Sequence, residues 1–119
     1  MKIDSSNMVG IHPYFKAMPG KMPEVQALLP AFIAKTATEK ENLFYDFTIH
    51  EDQLFCREAY NGAAGALAHL DNVGSLLDEL MKLADLTRLE VHGPGAELEK
   101  LKSPMKHLNV IWFALHRAG

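Results

Sequence analysis

The chain has 119 residues, 48% of them apolar and 23% charged. That balance excludes a disordered, collagen-like, coiled-coil or disulfide-rich architecture and fits one globular domain. Twelve Lys and Arg stand against fifteen Asp and Glu, a net charge of −3, so the basic excess of a nucleic-acid binder is missing.

Residues 1–8 are polar and expected to fray. Residues 9–18 carry Val9, Ile11, Tyr14 and Phe15 and predict a strand. Pro13 lies inside it and implies a bulge or an unpaired position, because proline cannot donate to a sheet ladder. After the Pro19-Gly20 break, Val25, Leu28, Leu29, Phe32 and Thr36 recur at helical spacing and predict a helix over 22–40. Pro23 suits its first turn, whereas Pro30 predicts a kink. Residues 43–50 and 53–60 alternate as two strands of a hairpin around Glu51-Asp52.

Beyond Asn61-Gly62, the Ala-rich segment 63–71 predicts a helix, and Leu76, Leu77, Leu80 and Leu83 place a second over 73–83. A strand follows over 86–92, then Gly93-Pro94-Gly95, a short helix over 96–102 and a last strand over 109–116. Stripping the short insert leaves β-α-β-β-α-β. The predicted fold is therefore α+β, ferredoxin-like, a split βαβ with an antiparallel sheet and helices on one face. The hairpin strands are apolar or aromatic on both faces. They predict that a second copy covers the open face, and the last strand, also two-faced, suits exchange into a neighbour.

One candidate site stands out: Glu58-x-Tyr60 at a strand end and His69 on the next helix. An imidazole there can point between helix and sheet as base, orienting group or haem ligand. The structural alternative is a half-buried histidine bonded to a carboxylate, with Glu58 as partner. Tyr14 and Trp112, both mid-strand, are the aromatic candidates for packing against a flat ligand. Six histidines form no H-x-x-x-H or H-E-x-x-H pair, and the single cysteine has no partner, so no metal site is signalled. Cys56 lies within a predicted strand and reads as a core residue, not as a nucleophile. With no disulfide, no visible leader and no apolar run of membrane-spanning length, a cytoplasmic protein without a membrane partner is expected.

The run KAMPGKMPEVQALL (residues 16–29) and the run EKENLFYDFTIHEDQLFCREAYNGAAGALAHLDN (residues 39–72) resemble the antibiotic biosynthesis monooxygenase (ABM) domain family. The resemblance covers residues 9–101. It implies a ferredoxin-like protomer that pairs into a homodimeric α+β barrel. Members include oxygenases that use no cofactor and act on quinols or phenols. Others degrade haem, isomerise small metabolites or have no known activity. Glu58, Tyr60 and His69 match the family's Glu-x-Trp…His pattern, with tyrosine in place of tryptophan. Glu41-Asn42-Leu43 replaces the common Glu-Pro-Gly, and Ile11-His12-Pro13-Tyr14 lacks the asparagine of the haem-degrading branch. The expectation is a monooxygenase without a cofactor, acting on a small aromatic molecule. His69 would be the catalytic base, and Tyr14, Glu58, Tyr60 and Trp112 would bind substrate. The alternatives are a barrel that only binds a small metabolite, or a haem-binding relative.

Overall fold

The computed structural model describes residues 4–117. Among them, five strands and four helices follow one another as β1 (Met8–Ala17), α1 (Met22–Thr36), β2 (Asn42–His50), β3 (Gln53–Asn61), α2 (Gly62–Asn72), α3 (Gly74–Met81), β4 (Ala84–Gly93), α4 (Gly95–Lys102) and β5 (Ile111–Ala114). The sheet order is β2-β3-β1-β4-β5. The first four strands are antiparallel, and β5 lies parallel to β4. This is the ferredoxin-like α+β arrangement with one added edge strand.

Element order follows the sequence, and boundaries differ in three informative places. β1 begins at Met8, inside the segment expected to fray, of which residues 1–3 lie outside the described residues. Helix α1 stops at Thr36 instead of reaching 40. The Thr38 hydroxyl donates to the Lys35 carbonyl at 2.7 Å, and the Glu39 amide donates to the Thr36 carbonyl, so the chain turns off the helix axis. β5 spans only Ile111–Ala114 and pairs with β4 of its own chain.

Pro13 behaves as its chemistry requires. The β1–β3 ladder is interrupted between Ile11↔Glu58 and Tyr14↔Phe55, where Pro13 has no N–H to offer. On the other side, Tyr14 opposes Arg88 while Phe15 opposes Leu86, so Thr87 is an extra residue bulged out of β4. Its hydroxyl donates to the Tyr14 carbonyl at 3.1 Å. The bulge turns both Leu86 and Leu89 toward the helices.

The helical face of the sheet carries two cores. One groups Val9, Ile11, Tyr60, Val91, Leu98 and Leu101 beneath α2 and α4. The other groups Phe15, Val25, Leu29, Phe32, Leu54 and Leu80 beneath α1 and α3. The opposite face, with His12, Tyr14, Phe55, His92 and Phe113, is covered by no element among the described residues. Its rings pack on one another, with His92 stacked on Phe113 at 4.4 Å between centroids.

Gly62 sets the entry of α2. It adopts φ +73°, and a Cβ there would lie 2.8 Å from Glu97 Oε1 and 2.9 Å from Asn7 Nδ2. The Glu97 carboxylate also accepts the Ala63 amide at 3.0 Å, satisfying one free N–H of the helix start. Gly62→Ala is expected to cost about 1–3 kcal/mol, as an L-residue forced into this region does. The shift of the urea denaturation midpoint measures it.

Candidate functional site

Small residues draw α2 onto the sheet. Ala63, Gly65 and Ala66 are buried, and a Cβ on Gly65 would meet Glu41 Cβ at 2.9 Å. With the helix this close, His69 enters the interior and is only 3% exposed. Its Nδ1 lies 2.9 Å from Glu39 Oε2 and 3.1 Å from Oε1. Asn72 Nδ2 donates to the same carboxylate at 2.8 Å. The turn after α1 therefore delivers Glu39 to a histidine thirty residues away.

On the other side of the imidazole, Nε2 stands 3.4 Å from Glu58 Oε1. The Tyr60 hydroxyl donates to that oxygen at 2.7 Å. The rings of Tyr60 and Tyr45 flank the imidazole at centroid distances of 4.8 and 5.2 Å. Asn72, Glu39, His69, Glu58 and Tyr60 thus form one continuous chain. With Nδ1–H donating to Glu39, the His69 Nε2 lone pair faces Glu58.

Burial governs the protonation of this chain. Desolvation raises the Glu58 carboxyl to about 7, against the pull of the Tyr60 and Cys56 hydrogen bonds, and Glu39 adds to the rise by repulsion. Desolvation lowers the His69 imidazole, and its bond to Glu39 opposes that. The site thus holds a neutral base beside a carboxylic acid close to its midpoint at neutral pH. Burial also pushes the Cys56 thiol and the Tyr45 and Tyr60 hydroxyls upward, so none of them ionises near neutrality. Cys56 is a core residue here, not a nucleophile.

His69 and Glu58 open onto a cavity of about 570 Å³ between the two cores, within the size range of small-molecule sites. Tyr45, Phe47 and Cys56 line it at this end. Ile11, Pro13, Leu77, Leu86, Leu89, Met105 and Leu108 are among its other walls.

Of the residues singled out from sequence, Glu58, Tyr60 and His69 come together, with Tyr60 behind Glu58 and not in the cavity wall. Tyr14 and Trp112 do not join them. Tyr14 lies on the opposite face of the sheet, beside Phe55, where it lines a separate pocket of about 270 Å³. Trp112 pairs across from Val91 and packs against the core under α4. Glu39 and Asn72 were not anticipated. Tyr45 shares the alternating face with Phe47, which is a usable signal. Glu39 carries none, because only the fold brings it near residue 69. Glu41, the glutamate aligned with the family's Glu-Pro-Gly, is exposed and bonds Asn61 at 2.8 Å instead.

The structure is similar to that of MupZ from Pseudomonas fluorescens, with a TM-score of 0.89 and 35% identity over 95% of this chain and 93% of that one. It shares its fold with candidate antibiotic biosynthesis monooxygenases from Nitrosomonas europaea (TM-score 0.68, 14% identity, 79% of this chain and 96% of that one) and Caulobacter crescentus (0.65, 19%, 73% and 89%). The chain is a relative of MupZ and has the ABM fold. No protein-family model matches it, and no curated protein matches it in sequence. No helix among the described residues is long and apolar enough to cross a membrane.

The raised Glu58 gives the domain a definite pH dependence. In the unfolded chain its carboxyl ionises near 4.5, and in the fold near 7. The stability carried by the neutral form is complete below pH 4.5 and is lost as pH rises through 7. Over that window the wild type should lose on the order of 3 kcal/mol relative to Glu58→Gln, at 1.36 kcal/mol per unit. Denaturation midpoints across the pH range check this. His69 contributes a slope of opposite sign on the acid side in both proteins, so their difference isolates Glu58.

Proposed function

We propose that this ABM-fold domain is a monooxygenase that needs no cofactor and acts on a small phenol or quinol, with His69 as its base. The observation that carries the reading is the imidazole itself. Its Nδ1 is held by Glu39 at 2.9 Å, and its Nε2 is turned to a cavity-lining carboxyl. Such an arrangement fixes the tautomer and leaves the Nε2 lone pair at the Glu58 end of the cavity, where a bound substrate hydroxyl would reach it. Engagement of both ring nitrogens by carboxyl groups supports proton transfer over ligation of haem iron.

His69 Nε2 takes the hydroxyl proton. The electron-rich ring then gives one electron to O₂, and the ring radical and superoxide combine into a carbon–oxygen bond. The peroxide anion takes the proton held on His69. The C–H bond at the same carbon then gives its proton to His69 as the O–O bond breaks, Glu58 protonates the departing hydroxide to water, and His69 returns its proton to Glu58. One oxygen atom remains as a carbonyl and the other leaves as water, with all electrons drawn from the substrate. Glu58, close to its midpoint, suits that proton donation.

Homodimerisation belongs to the same proposal. The uncovered sheet face carries Phe44, Ile111 and Phe113, each 38–40% exposed, and a second sheet would bury them.

A second reading is favoured by the acid and base standing 3.4 Å apart. The same pair can move a proton within a substrate without oxygen, as an isomerase does.

Oxygen uptake with menadiol tests the first reading. His69→Ala should slow protein-dependent uptake by about 10²–10⁴-fold, the range of a general base. Glu39→Gln should slow it less, because the base survives without its orienting partner. Uptake independent of His69 would sink the oxygenase role. Deuterium entering a substrate from D₂O under anaerobic conditions would instead support the isomerase reading.

A further inference from the structure

The polar and apolar parts of the cavity sit on different strands. Tyr45, Cys56 and Glu58 come from β2 and β3, and His69 faces them from α2. Ile11 and Pro13 line it from β1, and Leu86 and Leu89 from β4. Because the sheet order is β2-β3-β1-β4, the cavity crosses three strand spacings, about 14 Å at 4.7–4.9 Å each. One aromatic ring held at His69 leaves the β1–β4 half unfilled. The walls of that half are mainly aliphatic: Leu77 from α3 and Met105 and Leu108 after α4 line it with the two β4 leucines, and His107 is the polar side chain among them. The Thr87 bulge is what turns Leu86 and Leu89 together into this wall. Neither Tyr14 nor Trp112 lines it, and the ring of this half is Phe15, across from Leu86 on β1.

We infer that the ligand is elongated and amphipathic, with a hydroxyl-bearing head at His69 and Glu58 and a saturated chain lying across β1 and β4. This rests on the proposed hydroxyl chemistry of the head and adds the class of substrate. Asp71 and Asp78 also border the cavity and disfavour a chain that ends in an anion.

The test is binding, by calorimetry, of a series of 4-alkylphenols from ethyl to heptyl, with 2-naphthol as a flat control. Each added methylene should tighten binding about fourfold, the value of one buried CH₂. 4-Butylphenol should bind more tightly than 2-naphthol, which has the same number of carbons. Leu77→Trp should weaken the longest phenols far more than the ethyl compound. Affinity that does not depend on chain length, or naphthol binding as tightly as butylphenol, would overturn the inference. The wild-type series decides the matter even if the variant fails to fold. Oxygen uptake is recorded on the same compounds. Chain-dependent binding without uptake would strike the oxygenase reading alone, and uptake without chain dependence would strike this inference alone.

Discussion

The hydrogen bond between Glu39 and His69 is the contact on which the site depends. It is 2.9 Å long and joins the turn after α1 to the last turn of α2. Burying an imidazole against a carboxylate is unfavourable unless each finds its partners. Here each does: Glu39 accepts from Asn72 as well as His69, and the free nitrogen of His69 faces Glu58. The contact therefore orients the base and holds the first helix exit against the second helix, while burial, with a smaller push from the Glu39 charge, keeps Glu58 partly protonated. Removing Glu39 would leave a buried imidazole with an unmatched N–H, which costs more than the bond itself contributes.

Closeness of α2 to the sheet makes that contact possible. A helix of ordinary side chains packs 8–10 Å from its neighbour. Ala63, Gly65 and Ala66 remove the bulk that would hold this one away, and Gly62 supplies the backbone conformation that starts it. The same approach divides the helical layer into two cores with a cavity between them. Interiors usually close such gaps, since unfilled volume forfeits dispersion contacts. A retained cavity walled by leucines and ending at a buried acid–base pair is the form expected of a ligand site.

Irregularities in two strands shape its walls. Pro13 withholds an N–H from β3, and the extra Thr87 shifts the β4 register by one residue. A one-residue shift reverses which side chains face the helices. That is why Leu86 and Leu89, three apart, both look into the cavity, and why Arg88 and Glu90 point to the open face with His92.

Periodicity in the sequence was enough for the order of elements, the antiparallel fold and the interruption at Pro13, because those follow from local spacing and backbone chemistry. It also brought Glu58, Tyr60 and His69 together, since a strand end and the helix that follows it stay close in space. Tyr14 shows the limit: mid-strand position says a ring is held, and the register of the sheet decides which face holds it. Trp112 shows it again, placed by the parallel pairing of β5 with β4 and not by its neighbours in the chain. Glu39 was decided by tertiary structure alone. A charged residue past a helix end looks like any solvated residue until the fold buries a histidine beside it, and no spacing along the chain encodes a contact across thirty residues. Sequence determined which residues could carry proton chemistry. The close packing of α2 on the sheet decided which of them meet, because only there does desolvation bring an acid and a base to usable protonation states side by side.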